Sequence, residues 1–340
     1  MIVIQSQNYD ISTNDVIEWL LAYKTEFVRI NHDGLPIEIA TLSLEKEKGV
    51  GFSIRVGSTS FRLDDVTAYW HRRGAVPVQL SRQSVKTFLR RYERTTAIAI
   101  QNNLLREQGA LASFIDAKLA ACGRSIGSSG KSVLNKLFVL ETAMLCGLDI
   151  PETTVSETKK TVQQFAQKNK HIITKAILDN VYVTNSRHTI MFYTEELDAG
   201  RIKKMPGKFF PSLFQARVEK KYELRIFYLL GKFYAMAIFS QADSQTAVDF
   251  RKYNSETPNR TVPFLLPGAV QQKLHTMMGK LGLKTGSIDM IVTPDERYVF
   301  LEVNPVGQFS MLSRPCNFFV EKEIALYLAG KTKPELNVYL

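Results

Sequence analysis

Three oxygen-bearing side chains stand close together in the last sixth of the sequence. Asp289 and Glu302 flank the turn sequence Thr-Pro-Asp-Glu-Arg (293–297), and Asn304 follows two residues after Glu302. Turn residues between two β-rich runs predict a hairpin. If the turn is centred just after Asp295, Asp289 lies directly opposite Glu302, and Asn304 projects from the same face as Glu302.

Two carboxylates that face each other among Ile, Met, Val and Leu side chains are costly unless a positive charge lies between them. Mg²⁺ binds one or two protein carboxylates and completes its coordination shell with substrate phosphates. The hairpin therefore predicts a magnesium site formed by Asp289, Glu302 and Asn304. A surface hairpin with solvent-facing acids remains the alternative, because a register shift of one residue would part the carboxylates.

The segments before this hairpin predict a mixed α/β protein. Residues 1–31 have the pattern of a strand, a helix and a strand, in which Ser12 caps the helix and the strands form a small parallel sheet. An amphipathic helix is expected from about Ser84 to Gln108, with Ile98 and Leu105 on its apolar face. Further strands are predicted at 36–44, 50–56 and 66–71.

The rest of the chain predicts two more domains. A loop rich in Gly and Ser (123–130) leads into a helix (131–145), and Ser156 is placed to cap a helix that ends near Asn169. Short strands and then strand hairpins come next, before a terminal helix. We divide the chain into an N-terminal α/β domain (1–125), a small central domain (126–214) and a C-terminal domain with an antiparallel sheet (215–340).

The run GRSIGSSGKS (123–132) superficially matches a phosphate-binding P-loop. That motif needs a glycine, four residues of any type and then Gly-Lys-Ser/Thr. With its end at 130–132, the first glycine would stand where the chain has Ser125. The run also comes after a helix and Cys122, without a clear buried strand before it. We therefore do not assign a P-loop.

Composition indicates a globular protein that attracts anions. Hydrophobic residues make up 45% and charged residues 23% of 340, and the formal net charge is +11. Such an excess favours nucleotide phosphates, nucleic acid or an acidic peptide, and a solvated basic surface is equally compatible with it. Nucleic acid is the weaker option, since no nucleic-acid-binding signature occurs. Three dispersed cysteines and the lack of a signal peptide or membrane span favour the cytoplasm.

Several segments resemble motifs of the ATP-grasp superfamily, in the expected order over residues 131–310. The hairpin resembles the C-terminal metal-binding hairpin of that family, an Asp followed by Glu-x-Asn. The family's two nucleotide lysines are matched by Asn135-Lys136-Leu137 and Thr174-Lys175-Ala176. The hinge between its domains resembles residues 215–225, and a segment whose arginine reaches the phosphates resembles Asp249-Phe250-Arg251.

The resemblance implies a role for each matched residue. ATP would be held by Lys136 and Lys175 at its phosphates, by backbone at Ala216, Arg217 and Val218 at adenine, and by Glu223 at the ribose. Mg²⁺ would bind Asp289, Glu302 and Asn304. In catalysis, Arg251 together with Arg225 would donate to the γ-phosphate or to the substrate carboxylate. Ordinary roles remain open for Lys136 as a solvated lysine and for Glu223 with Arg225 as a structural salt bridge.

Within the superfamily, the chain is most similar to the graspetide synthetases. The features that carry this similarity are Tyr69-Trp-His-Arg-Arg-Gly74, the Gly-Leu-x-Ile-Pro-x-Thr run at 147–153 and Phe210-Pro-Ser-Leu-Phe-Gln215. The similarity implies an ADP-forming ligase that activates Asp or Glu side chains of a ribosomal precursor peptide. It would join them to Thr or Ser hydroxyls as ω-esters or to Lys amines as ω-amides.

The implied partner is an acidic precursor peptide with a leader and a core, and self-association is expected from the family. Arg72 and Arg73 are candidate contacts for the acidic substrate, and a surface role in the first domain is equally open for them. Tyr193 and Phe210 are candidate contacts for the peptide, with packing as the alternative. His71 and His188 are candidate general bases on chemistry alone. Two other functions stay open: a ligase that adds a free amino acid to a small molecule or protein, and a non-catalytic nucleotide- or nucleic-acid-binding protein.

Overall fold

The computed structural model describes residues 1–78, 86, 87, 89–178, 194–240 and 259–331, and the backbone of 182–184 and 189–191. Within this part, the chain forms two compact units. One comprises residues 1–132 and the last helix, and the other comprises residues 133–318. The division into three domains stays a prediction. In the part of the chain that is described, no helix is long and apolar enough to cross a bilayer.

The first unit contains a parallel sheet and an antiparallel meander. Its elements are β1 (Ile2–Ser6), α1 (Ile11–Ala22), β2 (Phe27–Asn31), β3 (Glu38–Glu45), β4 (Gly49–Val56), β5 (Thr59–Arg62), β6 (Ala68–His71), α2 (Arg94–Ala120), β7 (Arg124–Ile126) and α8 (Val320–Leu328). The parallel strands lie in the order β2-β1-β6-β7, and β3-β4-β5 form the meander. The predicted parallel pairing of the first two strands is confirmed.

The second unit contains two sheets and a short hairpin. Its elements are α3 (Lys136–Leu145), β8 (Thr153–Thr158), α4 (Lys159–Asn169), β9 (Ile172–Lys175), β10 (Tyr182–Thr184), β11 (Thr189–Met191), β12 (Glu195–Leu197), α5 (Ala199–Lys204), β13 (Lys208–Ala216), β14 (Tyr222–Leu229), β15 (Lys232–Phe239), β16 (Arg260–Phe264), α6 (Gly268–Lys280), β17 (Thr285–Val292), β18 (Tyr298–Asn304) and α7 (Ser310–Cys316). The sheets have the orders β12-β9-β13-β8 and β16-β15-β14-β17-β18, and β10 pairs with β11.

The five-stranded sheet is covered on one face by α3 and α6. Val139 and Ala143 of α3 and Leu274 and Met277 of α6 pack on its central strands in the core of the second unit. Along β17, Asp289 is the one position that is not buried. A strand enclosed by apolar neighbours therefore presents a single carboxylate on its accessible face.

Several local predictions were wrong at element boundaries. Helix α1 is capped by Asp10, whose carboxylate accepts the N–H of Thr13, and not by Ser12. Helix α4 is capped by Thr158, while Ser156 lies within β8. At both sites two capping residue types stand two positions apart, so the sequence alone leaves the choice open.

The helix expected from Ser84 to Gln108 is confirmed over residues 94–108, but its bounds and its apolar face were wrong. The described helix α2 runs from Arg94 to Ala120, and residues 79–85 and 88 lie outside the described part. Its buried positions are Ala112, Ile115, Asp116 and Leu119, whereas Ile98 and Leu105 are exposed.

The helix expected at 131–145 begins only at Lys136 and ends, as predicted, before Gly147 with its positive φ of 76°. The Gly-Ser run contains the short buried strand β7, contrary to the expectation of a plain loop. After β7 the chain forms a 3₁₀ turn, Ser129–Lys131, rather than the long helix that a P-loop requires.

Candidate active site

The hairpin β17–β18 places the two predicted carboxylates opposite each other. Asp289 pairs with Glu302, as the sequence predicts. The pairing next to the turn, however, is shifted by one residue, because Met290 faces Phe300 and leaves Leu301 as a β-bulge. The turn is therefore centred half a residue earlier than predicted, and the bulge restores the register in which the acids face each other.

Arg225 on the neighbouring strand β14 is the direct partner of Asp289. The two residues are in register, and Nη1 of Arg225 donates to Oδ1 and Oδ2 of Asp289 at 2.6 Å and 2.7 Å. Across three adjacent strands, a guanidinium and two carboxylates thus stand in a row. The pairing explains how two acids are tolerated on this face of the sheet.

Glu302 lies near the two lysines that the family resemblance implies for the nucleotide phosphates. Its Oε2 is 3.6 Å from Nζ of Lys136 and 3.9 Å from Nζ of Lys175. Lys136 is the first residue of α3, and its ammonium also donates to the carbonyls of Ala176 at 3.3 Å and Leu178 at 2.8 Å. Lys175 ends β9. Residues far apart in sequence therefore converge on one carboxylate.

Asn304 ends β18, two residues beyond Glu302, and is exposed. Its Oδ1 accepts the N–H of Val306 at 3.0 Å, which fixes the side chain against the following turn. Gly307 in that turn approaches Ser287 so closely that a Cβ on it would lie 2.6 Å from the Ser287 backbone nitrogen. A glycine is thus required where the chain leaves the site.

Glu223, the predicted ribose ligand, is buried on β14. Burial raises the pKa of this carboxyl above its ordinary value, against the opposing effect of Lys220, and the negative charge of Asp289 raises it further. The carboxylate contacts the ammonium of Lys220 and accepts the hydroxyl of Ser240 at 3.2 Å. Sequence analysis missed both partners. Lys220 could have been proposed as a partner of Glu223 because it lies only three residues before it. Ser240 could not, because it comes close to Glu223 only through the pairing of β14 with β15.

The predicted adenine segment lies at the end of β13. The backbone N–H of Ala216 donates to the carbonyl of Glu152 at 2.8 Å, and that of Arg217 donates to the carbonyl of His171 at 2.9 Å. The guanidinium of Arg217 pairs with Glu196 at 2.9 Å. The N–H groups of Ala216 and Arg217 are therefore engaged within the fold, and the adenine role of the backbone at Ala216, Arg217 and Val218 stays a prediction.

The candidate substrate arginines lie in the first unit, where both contact Asp10, the cap of α1. Nε of Arg73 donates to Oδ2 of Asp10 at 2.5 Å, and Nε of Arg72 is 3.5 Å from Oδ1. Burial lowers the pKa of Arg72 to about 10, although Asp10 opposes this shift. Phe210 on β13 is 84% exposed. Tyr193 and Arg251 lie outside the described residues. The substrate roles of Arg72, Arg73, Tyr193 and Phe210 and the catalytic role of Arg251 stay predictions.

Of the two candidate general bases, the structure describes only His71. His71 is buried in the first unit, where its Nε2 lies 2.8 Å from the carbonyl of Gly74, and burial lowers its pKa. Its neighbours Tyr69 and Trp70 are buried in the core. His188 lies outside the described part of the chain.

The donor set fits a divalent cation that is shared with phosphates. Among the described residues, no group of three or more His, Cys, Asp or Glu side chains could hold a metal on its own. Two carboxylates and one amide oxygen fall short of the six ligands that Mg²⁺ takes, so phosphate oxygens and water would complete the shell. The three surrounding cations, Arg225, Lys136 and Lys175, suit a polyanion rather than a bare metal ion.

The sequence was compared with known proteins. No protein-family model matches it, and no curated protein matches it either. Solved structures do match. The macrocyclase MdnC bound with the precursor peptide MdnA from Microcystis aeruginosa is 27% identical, with a TM-score of 0.77 over 98% of this chain and 100% of that chain.

Two further solved structures match over almost the whole chain. A Chryseobacterium gregarium RiPP-associated ATP-grasp ligase, in complex with ADP and a leader and core peptide, is 21% identical, with a TM-score of 0.80 over 98% of this chain and 97% of that chain. The ATP-grasp ligase PsnB, complexed with a minimal precursor, Mg and ADP, is 19% identical, with a TM-score of 0.67 over 98% and 97% of the two chains.

The fold is therefore that of the ATP-grasp ligases, and the predicted mixed α/β class is confirmed. The chain is similar along almost its whole length to a macrocyclase bound with a precursor peptide and to a RiPP-associated ATP-grasp ligase in complex with a leader and core peptide, so the resemblance to graspetide synthetases is confirmed as well.

Proposed function

We propose that this protein is an ATP-dependent macrocyclase that activates Asp or Glu side chains of a precursor peptide and joins them to other side chains of the same peptide. The observation that carries the proposal is the convergence of Lys136, Lys175 and Arg225 on the carboxylates of Glu302 and Asp289. The similarity to MdnC and to the two peptide-bound ligases supports a ribosomal precursor as substrate.

The first step joins two anions, which explains the cations. A substrate carboxylate oxygen attacks the γ-phosphorus of ATP, the bond to the β-phosphate oxygen breaks, and ADP leaves while an acyl phosphate remains. Lys136 and Lys175 would bind the non-transferred phosphates as point charges, and the guanidinium of Arg225 would orient the substrate carboxylate. Mg²⁺ held by Asp289, Glu302 and Asn304 would neutralise charge on the phosphates.

The second step needs less from the protein. A hydroxyl oxygen or an amine nitrogen of the peptide attacks the activated carbonyl carbon, phosphate leaves, and the attacking group loses its proton. We propose Thr or Ser hydroxyls, giving ω-esters, or Lys amines, giving ω-amides, as the attacking groups. Each ring then lowers the peptide mass by one water and releases one ADP and one phosphate.

The proposal is tested by co-expression with a candidate precursor rich in Thr, Asp and Glu, followed by mass spectrometry of the peptide. We expect losses of whole multiples of water with the wild-type enzyme and unmodified peptide with Glu302→Gln. Asp295→Asn, an exposed acid at the turn of the same hairpin, is the matched control and should leave modification intact. A gain in substrate mass would instead support amino-acid ligation, and nucleotide binding without ADP release would support a non-catalytic protein.

We also propose that the protein works in the cytoplasm and self-associates. The location rests on the dispersed cysteines of the sequence, and self-association rests on the family resemblance alone. Light scattering of the purified full chain tests self-association, and a monomer mass across the micromolar range would contradict it.

A further inference from the structure

Asp289 has two roles that conflict, as a predicted metal ligand and as the hydrogen-bond acceptor for Arg225. Asp289 is a predicted metal ligand, yet both of its oxygens accept from Nη1 of Arg225, at 2.6 Å and 2.7 Å. The two side chains are only 12% and 14% exposed, so water screens the contact weakly. This inference rests on the proposed function, in which Arg225 meets the carboxylate of the peptide.

A magnesium ion bound at Asp289 would compete with Arg225 for this carboxylate. Mg²⁺ coordinates oxygen at roughly 2.0–2.1 Å, which would place a doubly charged cation within about 5 Å of the guanidinium if the contact persisted. Like charges at such a distance repel strongly where side chains are largely buried. Binding of the metal therefore weakens the hold of Asp289 on Arg225.

A released Arg225 has a defined alternative partner. Its Nε is buried and lacks a hydrogen-bond partner among the described residues, so the guanidinium still has donors to offer beside the carboxylate row. A planar guanidinium binds a carboxylate through two parallel hydrogen bonds. An Asp or Glu side chain of the substrate is such a ligand, and it would replace the negative charge that Arg225 loses.

We propose that Asp289 is a positioning residue that restrains Arg225, and that binding of the metal with nucleotide frees Arg225 for the acidic side chain of the peptide. Metal and peptide then bind cooperatively, with nucleotide and metal strengthening the peptide site before chemistry begins. If the pair were only a structural salt bridge, releasing Arg225 from Asp289 would leave peptide affinity unchanged.

The test on the wild-type protein is a linkage measurement. The affinity of a fluorescein-labelled peptide rich in Glu and Thr is measured by anisotropy at saturating non-hydrolysable ATP analogue, with and without Mg²⁺. We expect a gain of about tenfold with the metal, within the usual range of coupling between two sites. Mn²⁺ affinity, measured by electron paramagnetic resonance at the same nucleotide level, should rise by the same factor when the peptide is added. The matching glutamine peptide should show neither effect.

The variant Asp289→Asn separates restraint from simple damage. It removes the charge that holds Arg225, so we expect peptide affinity without metal to approach the wild-type value with metal, and Mg²⁺ to add no further gain. Asp295→Asn, which removes an acid paired with Arg297 on the same hairpin, should behave as wild type. If the Asn variant does not fold, the reciprocal linkage in the wild type still decides the question.

Failure of this inference differs from failure of the proposed function. Equal peptide affinity with and without Mg²⁺, in a protein that still forms rings and releases ADP, overturns the restraint and leaves the macrocyclase intact. Cooperative binding of metal and peptide without any ring formation would support the restraint of Arg225 by Asp289 but overturn the proposed macrocyclisation.

Discussion

Glu302 is within salt-bridge distance of two largely buried lysines, and replacing it removes a negative charge that both of them share. The side chains of Lys136, Lys175 and Glu302 are 13%, 10% and 22% exposed. At an effective dielectric constant of about 20, charges 3.6 Å and 3.9 Å apart attract by roughly 4 kcal/mol each before desolvation is counted. Breaking a fully buried pair costs about 3–5 kcal/mol. Because this cluster is partly exposed, we expect Glu302→Gln to lower stability by about 2 kcal/mol.

The assay is thermal unfolding without nucleotide, at neutral pH and low salt, for a double-mutant cycle. A loss of about 2 kcal/mol corresponds to a fall of roughly 4–8 °C in the melting temperature of a domain of this size. Lys175→Met should destabilise the wild type, because Glu302 loses a partner, but should stabilise the Glu302→Gln variant, because two ammonium groups no longer repel each other. An equal effect of Lys175→Met in both backgrounds would refute the shared carboxylate.

Two other perturbations probe the same hairpin and its neighbour. A Cβ on Gly307 would lie 2.6 Å from the backbone nitrogen of Ser287, so we expect Gly307→Ala to lower the free energy of unfolding in urea by about 1–3 kcal/mol. The control is Gly109→Ala in helix α2, where a Cβ would meet nothing within 4 Å, and it should be neutral or stabilising. The pKa of Glu223 is raised by burial, so its contribution to stability is greatest below the ordinary value of 4.5 and is lost as pH rises through the folded-state pKa. The melting temperature of Glu223→Gln relative to wild type should therefore increase over this pH range, and a constant difference would contradict the raised pKa.

The sequence correctly predicted that Asp289 pairs with Glu302, but it did not predict the strand register next to the turn. The turn residues and the two-residue alternation of strands predicted a register in which the acids face each other. The structure reaches that register through the bulge at Leu301, since the pairs next to the turn are shifted by one residue. A bulge depends on how the whole strand packs, and local residue preferences do not encode its position.

The partners of the carboxylates could be named from the resemblance but not placed by local reasoning. Lys136 begins a helix and Lys175 ends a strand of another sheet, and only the tertiary fold brings both ammonium groups to Glu302. The same limit applies to the helix caps. Asp10 rather than Ser12 caps α1, and its carboxylate also binds Arg73, a contact between residues 63 positions apart.

The arrangement of charges on the five-stranded sheet favours a binding site over a structural one. A salt bridge that served stability alone would gain more from apolar replacement, because desolvating ions costs about as much as their attraction returns. Here Arg225, Asp289 and Glu302 lie side by side on the adjacent strands β14, β17 and β18. Glu223 also lies on β14, and its pKa is raised. Burying each of these charged groups costs desolvation free energy, and the fold could form without them. Phosphates, a divalent cation and a substrate carboxylate are the ligands whose combined charges would balance all of them at once.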